Sequence, residues 1–276
     1  MPVAVGGNRE ENSGNEISTT IIDYRGLPDT GGNVWRVDLH GDSPSAWTIV
    51  KLANLGRHYS NTAANDRRFF HRPDFVKYKD STGAYDAVIL GSGDRANPLD
   101  STRENWFYMI KDRFITAGTP PTSVISQSNL GDVTDNCLQS NSCTTSPSLT
   151  YGWRMQLEQS GEKALATATT INKQIYFTSY TPADMSAILA KSSCEPSEGT
   201  GRLYAVGLES AFAVNDYSVA NGTTLDKPDR YVDLKSGGIP AEVVYIPFNK
   251  VLKPDLSVQE INTSARWKTY WYPSEK

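Results

Sequence analysis

The chain has 276 residues, with 27 basic and 31 acidic side chains and a net charge of −4, which excludes the basic footprint that phosphate binding requires. Mean hydropathy is −0.47, and with no long apolar stretch a membrane-spanning helix is excluded. The 14 Tyr, 8 Phe and 6 Trp, set among 21 Gly and 15 Pro, describe many short strands whose pleated faces accept flat rings, separated by turns.

Residues 1–17 read as a flexible N-terminal tail, polar from Asn8 to Asn15 and without the apolar core of a signal peptide. The remaining chain, 18–276, reads as one run of strands. At its start Asn15, Thr19 and Asp23 lie at offsets that suit a calcium loop, although Ile17 stands where another oxygen ligand is needed. Strands of alternating character are then expected at Gly32–Leu39, Ala46–Leu52, Tyr85–Leu90, Asn105–Lys111, Gly152–Leu157, Ile171–Ser179, Gly201–Leu208, Ala241–Ile246 and Trp267–Tyr272. Helical periodicity is nearly absent, the best candidate being Pro182–Lys191.

Four of the runs, GNVWRVDL, NWFYMIKD, GWRMQL and GRLYAVGL, are variants of one unit in which a small or turn-forming residue precedes an aromatic and then alternation. In the second half they recur every ~45–50 residues, the period of propeller blades. The expected fold class is therefore all-β, a β-propeller in which each small sheet buries its faces against its neighbours. A β-sandwich is the competing architecture, but it accounts less well for the recurring unit.

Motifs for chemistry are sparse. Gly91-Ser92-Gly93-Asp94-Arg95-Ala96 follows an apolar strand and matches a dinucleotide-binding turn, but Pro98 follows where that turn needs a helix. It reads as a tight loop in which Asp94 and Arg95 pair. His40, His58 and His71 lack ligand spacing, and neither G-x-S-x-G nor HExxH occurs. Glu242, an acid within an apolar strand, suits an ion pair or a channel lining. Cys137 and Cys143 sit in one polar loop and suit a local disulfide, with two free thiols as the alternative; Cys194 competes for either partner.

Taken in order, these motifs resemble the C-terminal propeller of the PilY-type type IV pilus tip proteins, the Neisseria PilC β-propeller family. The resemblance runs from about Asp23 to Tyr272. Its carriers include Asp29-Thr30-Gly31-Gly32-Asn33-Val34-Trp35-Arg36-Val37-Asp38-Leu39, Arg68-Phe69-Phe70, Asp86 to Leu99, Gly152-Trp153-Arg154, Glu198 to Val206 and Lys235 to Val244. It implies an exported, non-catalytic protein at the pilus tip or outer membrane surface. Such a protein supports pilus assembly against retraction, twitching motility and attachment, with minor pilins and a host or abiotic surface as partners. It further implies a calcium loop before the Gly32 strand, of which Asp23 fits the final acid and Asn15 and Thr19 supply the only other oxygens. The stretch Ile21–Pro28 replaces a regular family strand with Gly and Pro. Family members are longer, with a signal peptide and earlier blades, so this chain is expected to hold an incomplete, C-terminal set. The alternatives are a quinoprotein-like propeller dehydrogenase, which needs a cluster of calcium-ligating acids, and a generic ligand-binding propeller.

Overall fold

The computed structural model describes residues 24–39, 43–56, 62–115, 121–184, 198–217, 225–235, 237–246 and 250–261. The tail 1–17, the calcium-loop residues Asn15, Thr19 and Asp23, His40, His58, Cys194, the run Trp267–Tyr272 and all but the start of Pro182–Lys191 lie outside them.

The described strands are, in chain order, β1 (Tyr24–Pro28), β2 (Asn33–Asp38), β3 (Thr48–Asn54), β4 (Asp74–Asp80), β5 (Gly83–Gly91), β6 (Trp106–Asp112), β7 (Ile125–Ser126) and β8 (Gly131–Asp132). They continue with β9 (Gly152–Gln156), β10 (Thr169–Ile171), β11 (Gln174–Thr181), β12 (Thr200–Gly207), β13 (Tyr231–Asp233), β14 (Val244–Ile246), β15 (Lys250–Leu252) and β16 (Val258–Glu260). Among the described residues helix is confined to single turns, such as the 3₁₀ turn Pro228–Arg230 and α1 (Cys137–Ser140). The strands make four open sheets, ordered β1-β2-β3-β7, β4-β5-β6-β9-β8, β10-β11-β12-β13 and β14-β15-β16. Sequential strands pair antiparallel, whereas the short β7 and β8 join β3 and β9 in parallel.

The period of two in the strands decides how the sheets stack. In β5, Val88 and Leu90 pack with Val34, Leu52 and Ala53 of the first sheet. Their neighbours Ala87 and Ile89 turn the other way and pack with Ile175, Phe177 and Val206 of the third. Strand β6 divides likewise, with Tyr108 and Ile110 in one cluster and Phe107 and Met109 in the other. In the third sheet Phe177 and Tyr204 face the second, while Tyr176, Leu203 and Ala205 pack with Val251 and Ile261 around the fourth. The second and third sheets therefore bury both faces against their neighbours in chain order, which is the packing of propeller blades. The chain is an all-β protein of β-propeller type.

Aromatic rings bridge the central interface. Phe107 stacks on Phe177 at 3.6 Å between centroids, and Phe177 on Tyr204 at 4.6 Å. The Trp153 indole N–H, buried beside them, donates to the Leu208 carbonyl at 2.9 Å.

The chemistry of the Asp29–Asp38 motif is now visible. Asp29 Oδ1 accepts the backbone N–H groups of Gly31 and Asn33 at 2.9 and 2.8 Å, and the Trp35 indole donates to Oδ2 at 2.9 Å. One carboxylate thus closes the turn and orients the strand that follows. Gly32 takes φ +80°, and a Cβ there would stand 2.3 Å from the Gly56 Cα, so only glycine permits this backbone crossing. Arg36, 1% exposed, bonds Asp38 at 3.1 Å and Asp112 at 3.2 Å, tying the first sheet to the second through a buried charge network.

Several sequence expectations are revised. Ile171–Ser179 is two strands joined at Asn172 and Lys173, whose φ values of 50° and 65° make a hairpin turn that Lys does not advertise. Tyr24–Pro28 is a strand despite Gly26 and Pro28, because β1 is an edge strand, where proline leaves no central ladder bond unmade. Strand β14 begins at Val244, which leaves Glu242 exposed and outside it. After Gly91-Ser92-Gly93 the chain makes bends and turns and no helix.

Candidate functional site

A cleft of about 330 Å³ opens among β9, β12, β13 and the Pro228–Arg230 turn. Its lining includes Met155, Gln156, Glu158, Gln159, Arg202, Tyr204, Lys227, Arg230 and Tyr231. Strand pairing creates it: Tyr204 lies opposite Tyr231 and Arg202 opposite Asp233, so alternate residues of β12 present their side chains to one region.

The Arg202 guanidinium lies 4.0 Å from the Tyr231 ring centroid, and its Nε donates to Asp233 at 2.8 Å. Burial works against its charge, but the Asp233 bond, with Tyr204 and Glu162 nearby, holds its pKa above the ordinary arginine value. Beneath it Glu162, with no side-chain exposure, accepts hydrogen bonds from the hydroxyls of Ser179 at 2.6 Å and Tyr204 at 2.8 Å. Burial and the adjacent Glu162 push the Tyr204 hydroxyl well above its usual range, so it stays protonated as a donor.

Arg230 forms the deepest cationic contact. Its guanidinium donates to the carbonyls of Val133 at 2.8 Å and Thr134 at 3.1 Å, and to Asn136 Oδ1 at 2.7 Å. Burial lowers its pKa to about 10, opposed by the charge of Glu158 and, more weakly, Asp135. Lys227 bonds Glu158 at 2.8 Å and lies 3.7 Å from Asp135. The arrangement supplies positive charge, hydroxyl and amide groups and two aromatic faces, which is the equipment of a binding site.

The loop that Arg230 grips carries Cys137 and Cys143, joined as a disulfide with Cα atoms 4.7 Å apart. The bridge closes around α1 between Asn136 and Asn141, both left-handed, at φ 57° and 53°. Sequence reasoning named this cysteine pair but not the cleft beside it.

Asp94 and Arg95 do not pair with each other. Asp94 accepts the N–H groups of Ala96 and Asn97 and pairs with Arg68 at 3.2 Å and Arg103 at 3.7 Å, whereas Arg95 donates to the Leu165 carbonyl at 2.9 Å. The loop is therefore fixed by an Asp–Arg cluster in which Asp66 bridges Arg68 at 3.0 Å and Arg103 at 3.1 Å. Next to it Lys163, 1% exposed, donates to the Pro98 and Asp100 carbonyls at 2.6 and 2.7 Å, and burial lowers its pKa to about 8. Glycine makes the approach possible: a Cβ on Gly93 would stand 2.8 Å from the Ala164 carbonyl oxygen.

No family model matches the chain, and no curated protein matches its sequence. Among solved structures, the crystal structure of the Pseudomonas aeruginosa PilY1 C-terminal domain matches with a TM-score of 0.60 at 15% identity, over 87% of this chain and 57% of that one. The chain thus spans a little over half the length of the structure it matches. The motif series read from the sequence points to the same structural neighbour, and what this chain shares with it is a β-propeller-type fold.

Proposed function

We propose that this chain is part of an exported, non-catalytic factor of type IV pili, which supports pilus assembly against retraction, twitching motility and surface attachment at the pilus tip. The carrying observation is the likeness to the PilY1 C-terminal domain over 87% of the chain, with which the ordered motifs from Asp29 to Val244 agree. The partners in this reading are minor pilins and a host or abiotic surface. No helix among the described residues is long and apolar enough to cross a membrane. Calcium fits poorly at Asn15, Thr19 and Asp23, because calcium takes six to eight oxygen ligands and this set holds one carboxylate.

The test is deletion of the full-length gene, scored by surface pili and twitching, with complementation by the intact gene. Loss of both, restored by complementation, supports the proposal; normal piliation and motility in the deletion strain refute it.

A further inference from the structure

The cleft contains a buried cation whose bonding partners are all neutral. Arg230 is 2% exposed, and its donors go to two carbonyls, the Asn136 amide oxygen and the Met155 sulfur. Among the described residues no carboxylate forms a salt bridge with it, and its Nε is buried without a hydrogen-bond partner. A guanidinium removed from water is costly unless a countercharge meets it, and its planar fork matches a carboxylate. A role confined to tying the 133–136 loop to the Pro228–Arg230 turn leaves that charge without a carboxylate in contact, since Glu158 and Asp135 act on it only from a distance. Arg202 and Lys227 add positive potential to the same cleft, although each already has an acidic partner, so Arg230 is the group that lacks one.

We propose that this cleft binds a carboxylate carried on a small polar body of amino-acid or monosaccharide size, with Arg230 taking the charge. The volume of 330 Å³ lies at the lower end of small-molecule sites. Tyr204, Tyr231 and Met155 give the body apolar surface, while Gln156, Gln159 and Thr134 give it polar contacts. Glu158 is the one acidic residue in the lining, and it works against an anion. The inference does not depend on the pilus reading.

The experiment is calorimetric titration of the purified chain with N-acetylalanine against N-acetylalanine amide, and with glucuronate against glucose. Each carboxylate that binds is expected at a Kd of about 0.1–1 mM, with its neutral counterpart at least about tenfold weaker. Binding in one arm alone identifies the source as peptide or sugar and supports the site. Arg230→Met abolishes binding, with circular dichroism confirming the fold. Because that substitution also loosens the 133–136 loop, Glu158→Gln carries the decisive arm: its side chain is 51% exposed, and its loss should tighten carboxylate binding about threefold. Absence of binding by either carboxylate up to about 10 mM, equal affinity for charged and neutral probes, or weaker binding by Glu158→Gln each overturns the proposal.

Discussion

Replacing Phe177 with alanine tests whether the second and third sheets depend on their shared aromatic stack. Phe177 is fully buried, with Phe107 3.6 Å away on one side at 9° and Tyr204 4.6 Å away on the other at 5°. Truncating a buried phenylalanine costs about 3–5 kcal/mol through lost transfer energy and the cavity left behind. Two ring pairs at about 0.5–1.5 kcal/mol each lie partly outside that figure, and rings held by two rigid sheets cannot collapse into the gap. The expected loss is therefore about 4–5 kcal/mol, a large share of the roughly 5–15 kcal/mol that holds a typical domain folded. Urea denaturation followed by tyrosine and tryptophan fluorescence measures it, with Ile49→Thr as the control. Ile49 is 63% exposed, and its replacement should shift stability by less than about 0.5 kcal/mol. Amide exchange supplies the second readout, because loss of the stack should reduce protection in both β6 and β11. A loss below about 1 kcal/mol, or exchange that changes in only one of the two sheets, would refute the view that this interface unites them.

The Cys137–Cys143 bridge closes a loop with a sequence separation of 6, so Cys143→Ser should cost about 2 kcal/mol on the chain-entropy relation, read as a shift in urea midpoint with unchanged slope. Because Arg230 bonds that loop, faster amide exchange at Val133–Asn136 should accompany it. His71 gives a pH signature: burial and, secondarily, Arg95 lower its pKa from the ordinary 6.5, with Glu242 opposing. The unfolded chain then binds the proton more readily, so this contribution is fully present above pH 6.5 and lost as pH falls through the lowered folded value. His71→Gln should flatten stability just below pH 6.5, and an unchanged pH profile would refute the assignment. A separate acid limb should persist in that variant, because Arg113 above all holds the Asp80 carboxyl far below 3.8, with Thr82 and Lys111 adding to it; that stability is present above pH 3.8 and is lost further into acid.

Strands that bury both faces were the most legible part of the sequence. Strands β5, β6 and β12 are dense in apolar and aromatic residues, so their runs stand out and their bounds fall within a few residues of expectation. Strand β4 was missed because exposed Lys77 and Lys79 alternate with half-buried residues and no apolar run forms. The cysteine pair was legible from spacing within one loop. The cleft was not, because Arg202, Lys227 and Arg230 each look like a surface charge until pairing of β12 with β13 brings their neighbours together. In Lys227-Pro228-Asp229-Arg230 nothing local announces that Arg230 is buried, since its partners lie 75 to 97 residues away in sequence. Asp94 and Arg95 show the converse error: adjacency suggested a pair, yet each bonds a distant segment.

The division of each inner strand between two neighbours also bears on how this protein can change over generations. Inserting or deleting one residue inside β5 or β11 would rotate its side chains to the opposite face and misfit two interfaces at the same moment. Substituting one apolar residue for another disturbs a single interface and leaves the other intact. Drift in residue identity is thus tolerated while length within the strands is held fixed, and length variation is directed into the connections. A chain under that rule can stand at 15% identity to another protein and still superpose on it at a TM-score of 0.60.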